Sequence, residues 1–212
     1  MKYGEFIKLV RDLPLIEVGL ILAGVPNPDP VKVQISRWVK AHKLIQLRRG
    51  VYLLPKAFRK IDVYEPYLAA VLKKPSYISI EKALEYHDII PEAVKIFTSV
   101  TTKRGRRFTT KLGVFNYQHI KNSLFWGYEA VTINKQTAFF ATPEKALLDL
   151  LYLKRIKTTT AYLDELRLQN LERLNLRRLL EYGRRFKKPG MRRAARLIKK
   201  YAEYQKKGRR VA

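Results

Sequence analysis

Apolar residues recur at helical spacing from Tyr3 through Phe6, Ile7 and Val10 to Leu13, which predicts a first helix stopped by Pro14. LIEVGLILA (15–23) is apolar nearly all round and predicts a second helix, buried on every side. GVPNPDP (24–30) predicts a loop ending in Asp29 as helix N-cap and Pro30 at the first helical position. VKVQISRWVKAHK (31–43) then predicts a third helix. LIQLRRGVYLL (44–54) predicts a β-hairpin with Arg48-Arg49-Gly50 at its tip. Three short helices followed by a two-stranded ribbon form the winged helix-turn-helix pattern.

PKAFRKIDV (55–63) reads as a junction, so the chain divides into an N-terminal domain over 1–58 and a C-terminal domain over 64–212. YEPYLAAVLKK and SIEKALEYHDII have helical character. Between 95 and 141 the pattern changes: KIFTSVT, RRFTT, LGVFNYQ, GYEAVTIN and TAFFA are strand-like and separated by turn signals, predicting an antiparallel β-rich centre. TPEKALLDLLYL restarts helix, with Thr142 as N-cap and Pro143 next, and helical spacing runs over 143–205 with a break at KKPG (187–190). The fold class is therefore α+β, a winged helix-turn-helix followed by a mixed α/β domain with a helical C-terminus. The EKAL shared by 81–84 and 144–147 is too short to mark a repeat, and two similar helix starts explain it.

Charge adds a partner to this outline. The chain has 44 Lys and Arg against 18 Asp and Glu, a formal net charge of +26, and such an excess repels itself unless an anion faces it. Nucleic acid is the natural anion; a merely solvated charge excess is the plain alternative. With no cysteine, disulfides, thiolate metal sites and cysteine nucleophiles are out. MKYGEFIKLVRDLP interleaves charges with apolar residues, unlike a signal peptide or a membrane span, so a soluble, cytoplasmic chain is expected.

The charge is also placed. On a helical wheel, Val31, Ile35, Trp38, Val39 and His42 share an arc of about 100°, a core stripe that makes His42 structural. Lys32, Ser36, Arg37, Lys40 and Lys43 occupy the opposite arc, and only Val33, Gln34 and Ala41 interrupt the division. Such a face suits the major groove of double-stranded DNA, although an ordinary surface helix also shows lysine outside. The hairpin tips the balance. Gly50 supplies the positive φ of the turn, whereas Arg48 and Arg49 have no turn role and would lie beside the third helix.

Two further basic clusters stand out as secondary nucleic-acid or partner surfaces. Lys103, Arg104, Arg106 and Arg107 surround Gly105 in what reads as another hairpin tip. From Arg177 to Arg210 there are 15 Lys and Arg against Glu181 and Glu203, among them Arg184, Arg185, Lys187, Lys188, Arg192 and Arg193. Leu179, Tyr182, Phe186, Ala194, Leu197, Ile198, Tyr201 and Tyr204 keep helical spacing between these charges, so the segment is a set of basic amphipathic helices.

Signals for catalysis are weak. His42, His87 and His119 have no metal-ligand spacing, and His87 with Glu85 and Asp88 reads as a polar helix end. Glu144 follows an N-cap, where a carboxylate favours the helix dipole, and Asp149 lies one turn further on. No GxSxG, HExxH, P-loop or dinucleotide fingerprint occurs. No metal or cofactor is implied, and a binding protein is expected rather than an enzyme. The alternatives are a nucleic-acid-dependent enzyme or accessory subunit such as a restriction-like nuclease, and a plain ligand-responsive transcription regulator.

Taken together, ISRWVKAHKLIQLRRGVYLL, KPSYISIEKALEYHDIIPE, SVTTKRGRRFTTKLGVFNYQHI and FFATPEKALLDLLYL resemble, in order, the AbiEi family of antitoxins. The likeness runs from about residue 5 to 155 and rests most on PSYIS…AL…IP and TPEKALLDLLY; the C-terminal helices match only loosely. The resemblance implies an antitoxin of a type IV toxin–antitoxin system linked to abortive infection by phage. It implies an N-terminal winged helix that binds inverted repeats upstream of its operon and represses it. It also implies a C-terminal domain that counters a nucleotidyltransferase-like toxin. On this chain the DNA contacts would fall on Lys32, Ser36, Arg37 and Lys40, with Arg48 and Arg49 on the wing.

Overall fold

The computed structural model describes residues 2–208, so Arg209, Arg210 and the last residues of the domain expected over 64–212 lie outside the described residues. The chain begins with α1 (Tyr3–Val10), β1 (Ile16–Glu17), α2 (Val18–Ile21) and α3 (Asp29–Lys40), then β2 (Ile45–Arg48) and β3 (Val51–Leu53). The three strands form a small antiparallel sheet in the order β1-β3-β2. Phe6, Val10, Ile16, Ile35, Trp38, Leu44 and Leu54 close a core beneath it, each large side chain contributing about 1.5–3 kcal/mol of burial.

The buried helix expected over 15–23 is not there. Ile16 and Glu17 pair instead with Tyr52 and Val51, which converts the start of that segment to strand and leaves α2 a single turn. Leu20 consequently stands 71% exposed. The third helix is also shorter than its pattern: it ends at Lys40, and His42 takes a left-handed φ of 56° in the turn that follows. His42 is therefore exposed and not a core residue.

A short 3₁₀ turn (Lys56–Phe58) leads to α4 (Glu65–Leu72), β4 (Ser76–Ile78), α5 (Ile80–Tyr86), and strands β5 (Ile96–Thr101), β6 (Arg106–Thr110), β7 (Gly113–His119), β8 (Tyr128–Ile133) and β9 (Gln136–Ala141). Then come α6 (Pro143–Lys154), α7 (Thr160–Glu165), α8 (Leu176–Arg185) and α9 (Pro189–Gly208). The six strands make one sheet in the order β6-β7-β5-β4-β9-β8. This sheet is mixed, not antiparallel throughout: β5 pairs parallel with β7 and β4 parallel with β9, while β6·β7, β4·β5 and β8·β9 are antiparallel. α4 packs against β9 and β4, α5 and α6 pack on one another, and α8 and α9 pack together and against α6.

The segment Lys103–Arg107 is not a hairpin tip. β7 lies between β5 and β6, so the segment crosses the end of β7, passing so close that a Cβ on Gly105 would sit 2.8 Å from the Tyr117 carbonyl oxygen. Arg106 and Arg107 belong to the edge strand β6, where charge also discourages pairing with another sheet. The hairpin β2–β3 turns its apolar side to α4: Leu47, Val51 and Leu53 share one core with Leu68, Val71 and Leu72 of that helix. Among the described residues, no helix is long and apolar enough to cross a membrane.

Candidate nucleic-acid interface

Packing of Trp38 sets the rotation of α3. Its ring lies 4.8 Å from that of Phe6 and 5.3 Å from that of Tyr3, which holds Ile35 and Trp38 inward. The opposite face therefore presents Lys32, Val33, Ser36, Arg37 and Lys40 to solvent. Arg37 and Lys40 lie in the last turn of the helix, where the dipole favours cations. Lys32 is joined to Asp29 at 2.9 Å, an exposed pair that holds the ammonium only weakly. Lys43 follows the helix with its ammonium over the Tyr3 ring at 5.2 Å, and its carbonyl accepts a 2.6 Å hydrogen bond from the Tyr3 hydroxyl.

At the hairpin tip the two arginines part company. Gly50 has φ 83°, and its carbonyl accepts a bond from Val18 N at 3.0 Å, which ties the tip to α2. Arg49 is exposed. Arg48 sits at an irregularity in the β2–β3 register and is half-buried; its Nη1 donates to the Arg49 carbonyl at 3.0 Å and its Nη2 to the Val71 carbonyl at 3.3 Å. Its Nε is buried without a partner. Arg48 is thus a junction residue that lies against α4, and the outward basic face is carried by α3 and Arg49.

The structure gathers other cations around that junction. Burial lowers the Lys73 ammonium pKa, and the charges of Lys103, Arg106 and Arg48 lower it further, so the β2–β3 hairpin, the end of α4 and the β5–β6 segment share one electrostatic neighbourhood. Tyr117, which donates to the Ala69 carbonyl at 2.6 Å, has its phenol raised by burial and held back by Arg48. Lys73 carries no sequence signal of this role beyond its type.

The C-terminal basic residues do not form one surface. Arg184 and Arg192 line a groove between α8 and α9, whereas Lys188 and Arg193 line a separate one with Arg155 and Lys157. Arg185 lies over the Trp126 ring at 4.3 Å, and Lys187 occupies the turn between the helices with φ 54°. Tyr204, expected on the packed face, is 76% exposed.

A buried polar network escaped the pattern altogether. Every residue of α6 from Pro143 to Leu151 is buried, so Glu144, Lys145 and Asp149 have no outward face to occupy. Lys145 Nζ bonds Asp149 Oδ1 and donates to the Tyr77 hydroxyl at 2.8 Å; Tyr77 and Ser79 each donate to Asp149 Oδ2 at 2.9 Å. Trp126 and Phe186 bring their rings to within 4.8 and 5.1 Å of the same ammonium. Burial pushes Lys145 down and Asp149 up, and each charge opposes the shift of the other. Glu144 accepts from Arg178 Nε at 2.8 Å and from Asn175 N at 2.7 Å, which fastens the start of α8 to the start of α6. These groups spend their polar atoms on one another and join β4, α6 and α8. Lys145 and Asp149, four residues apart in TPEKALLDLLYL, take this role because the helix is enclosed.

No family model matches the chain, and no curated protein matches its sequence.

Proposed function

We propose that the protein is a DNA-binding autorepressor and the antitoxin of a type IV, AbiE-like toxin–antitoxin system, acting in the cytoplasm against a nucleotidyltransferase-like toxin. The observation that carries the DNA-binding half is the order α1-β1-α2-α3-β2-β3, with a β1-β3-β2 sheet and an outward face of Lys32, Ser36, Arg37 and Lys40. That order supports a winged helix in which α3 enters the major groove and Arg49 on the wing meets the adjacent backbone. Arginine there reads guanine edges or phosphate, and lysine neutralises phosphate. Arg48 steadies the wing against α4 instead of touching DNA. The antitoxin half rests on the PSYIS and TPEKALLDLLY stretches, which supply the buried network joining β4 to α6.

A mobility-shift titration with the DNA upstream of the protein's own reading frame tests the first half. Binding that Arg37→Ala/Lys40→Ala/Arg49→Ala weakens at least tenfold supports it; equal affinity removes the assignment. Co-expression with the neighbouring gene tests the second. Relief of growth arrest by the full chain is expected, and a neighbour that is harmless alone contradicts the antitoxin reading.

A further inference from the structure

α8 and α9 approach more closely than ordinary helices can. A Cβ added to Gly183 would lie 2.5 Å from Ala195 Cβ and 3.1 Å from the Met191 carbonyl oxygen, so glycine is what permits the contact. Leu179, Gly183 and Phe186 on one helix and Met191, Ala194, Ala195 and Ile198 on the other are buried and need no charge to pack. Beside this seam runs a groove of about 460 Å³, lined by Arg184 of α8, by Arg192, Arg196, Lys199 and Lys200 of α9, and by one carboxylate, Glu203. Glu203 is joined to Lys199 at 3.5 Å. Among the described residues, Arg184, Arg192, Arg196 and Lys200 have no acidic partner.

A solvated surface spreads like charges apart. Here five cations from two helices converge on one concavity, and Arg192, Arg196 and Lys200 follow each other at i, i+4, where like charges repel. Each four-residue step advances about 6 Å along the helix, close to the spacing of successive phosphates on an extended strand. Tyr204 continues the same row one turn beyond Lys200, and its ring is largely in solvent. A row of cations beside an exposed ring is the combination that holds a strand by its backbone and stacks a base.

We propose that the α8–α9 groove binds the sugar–phosphate backbone of a single nucleic-acid strand, with Arg184, Arg192, Arg196 and Lys200 on phosphates and Tyr204 stacking a base. The site shares no residue with the α3 face, and failure of the duplex-binding reading leaves it standing.

Fluorescence anisotropy of the full chain with labelled oligo(dT) or oligo(U) of about 12 nucleotides tests it. Both strands bind, since the shared chemistry is the phosphodiester backbone. Arg192→Ala/Arg196→Ala/Lys200→Ala weakens binding about tenfold or more and lowers the log–log salt slope by about 2. Arg192→Lys/Arg196→Lys keeps the slope, and Tyr204→Ala weakens binding about fivefold. Unchanged affinity and slope in the triple alanine variant overturns the proposal. So does an unlabelled duplex that competes as well as the strand.

Discussion

Asp149→Ala removes the counter-ion of an ammonium that has no route to water. In the variant, Lys145 retains only the Tyr77 hydroxyl and the faces of Trp126, Tyr77 and Phe186, while Tyr77 and Ser79 lose the oxygen to which they donate. Breaking one partner out of an enclosed ion pair costs about 3–5 kcal/mol. For a chain of this length each kcal/mol lowers Tm by about 2–4 °C, so the melt should fall by about 10 °C. Lys145→Met/Asp149→Asn removes both charges and keeps an acceptor for Tyr77 and Ser79, and should recover more than half of that loss. Lys145→Met alone has a pH signature. Burial raises the Asp149 pKa, and without Lys145 nothing of opposite charge opposes the shift. The folded chain then holds its proton above the ordinary aspartate range, and its deficit against wild type grows as pH rises from that range. Differential scanning calorimetry and urea melts across pH check all three variants. A cost under about 1 kcal/mol for Asp149→Ala, or a Lys145→Met deficit that shrinks as pH rises, would refute the keystone role of this network.

Gly183→Ala forces α8 away from α9 and should cost about 1–3 kcal/mol in a denaturant melt, with Gly183→Ala/Ala195→Gly restoring most of it. Arg48→Ala and Arg49→Ala should separate cleanly: the first lowers thermal stability and leaves DNA affinity within about threefold, because its guanidinium lies on the Val71 carbonyl. The second leaves the melt unchanged and reduces the salt slope of DNA binding by about 1.

Strand-forming residues between turn signals made the strands of residues 95–141 legible, since each of β5 to β9 overlaps a stretch that reads as strand-like. β4 was not legible: Ser76, Tyr77 and Ile78 are all buried, so no alternation marks them, and they run directly into a helix. Strand order was equally hidden, because it depends on β7 inserting between β5 and β6, a choice made by the whole sheet. That is why Lys103–Arg107 reads as a hairpin tip but crosses the end of β7. The face of α3 followed from periodicity, as Ile35 and Trp38 show; its end did not, since the chain leaves the helix after Lys40 and turns at His42 with a left-handed φ of 56°. Arg48 illustrates the same boundary. The turn at Gly50 is local chemistry, whereas the direction of the neighbouring guanidinium is decided by α4, more than twenty residues away.

The most direct test is the salt dependence of binding to the DNA upstream of the protein's own reading frame, for wild type and for Arg37→Ala/Lys40→Ala/Arg49→Ala. If α3 and the wing meet the phosphates, wild-type log K falls linearly with log salt, and the variant's slope is shallower by about 3 with folding intact. An identical slope in the two proteins would contradict the assignment of that face to DNA.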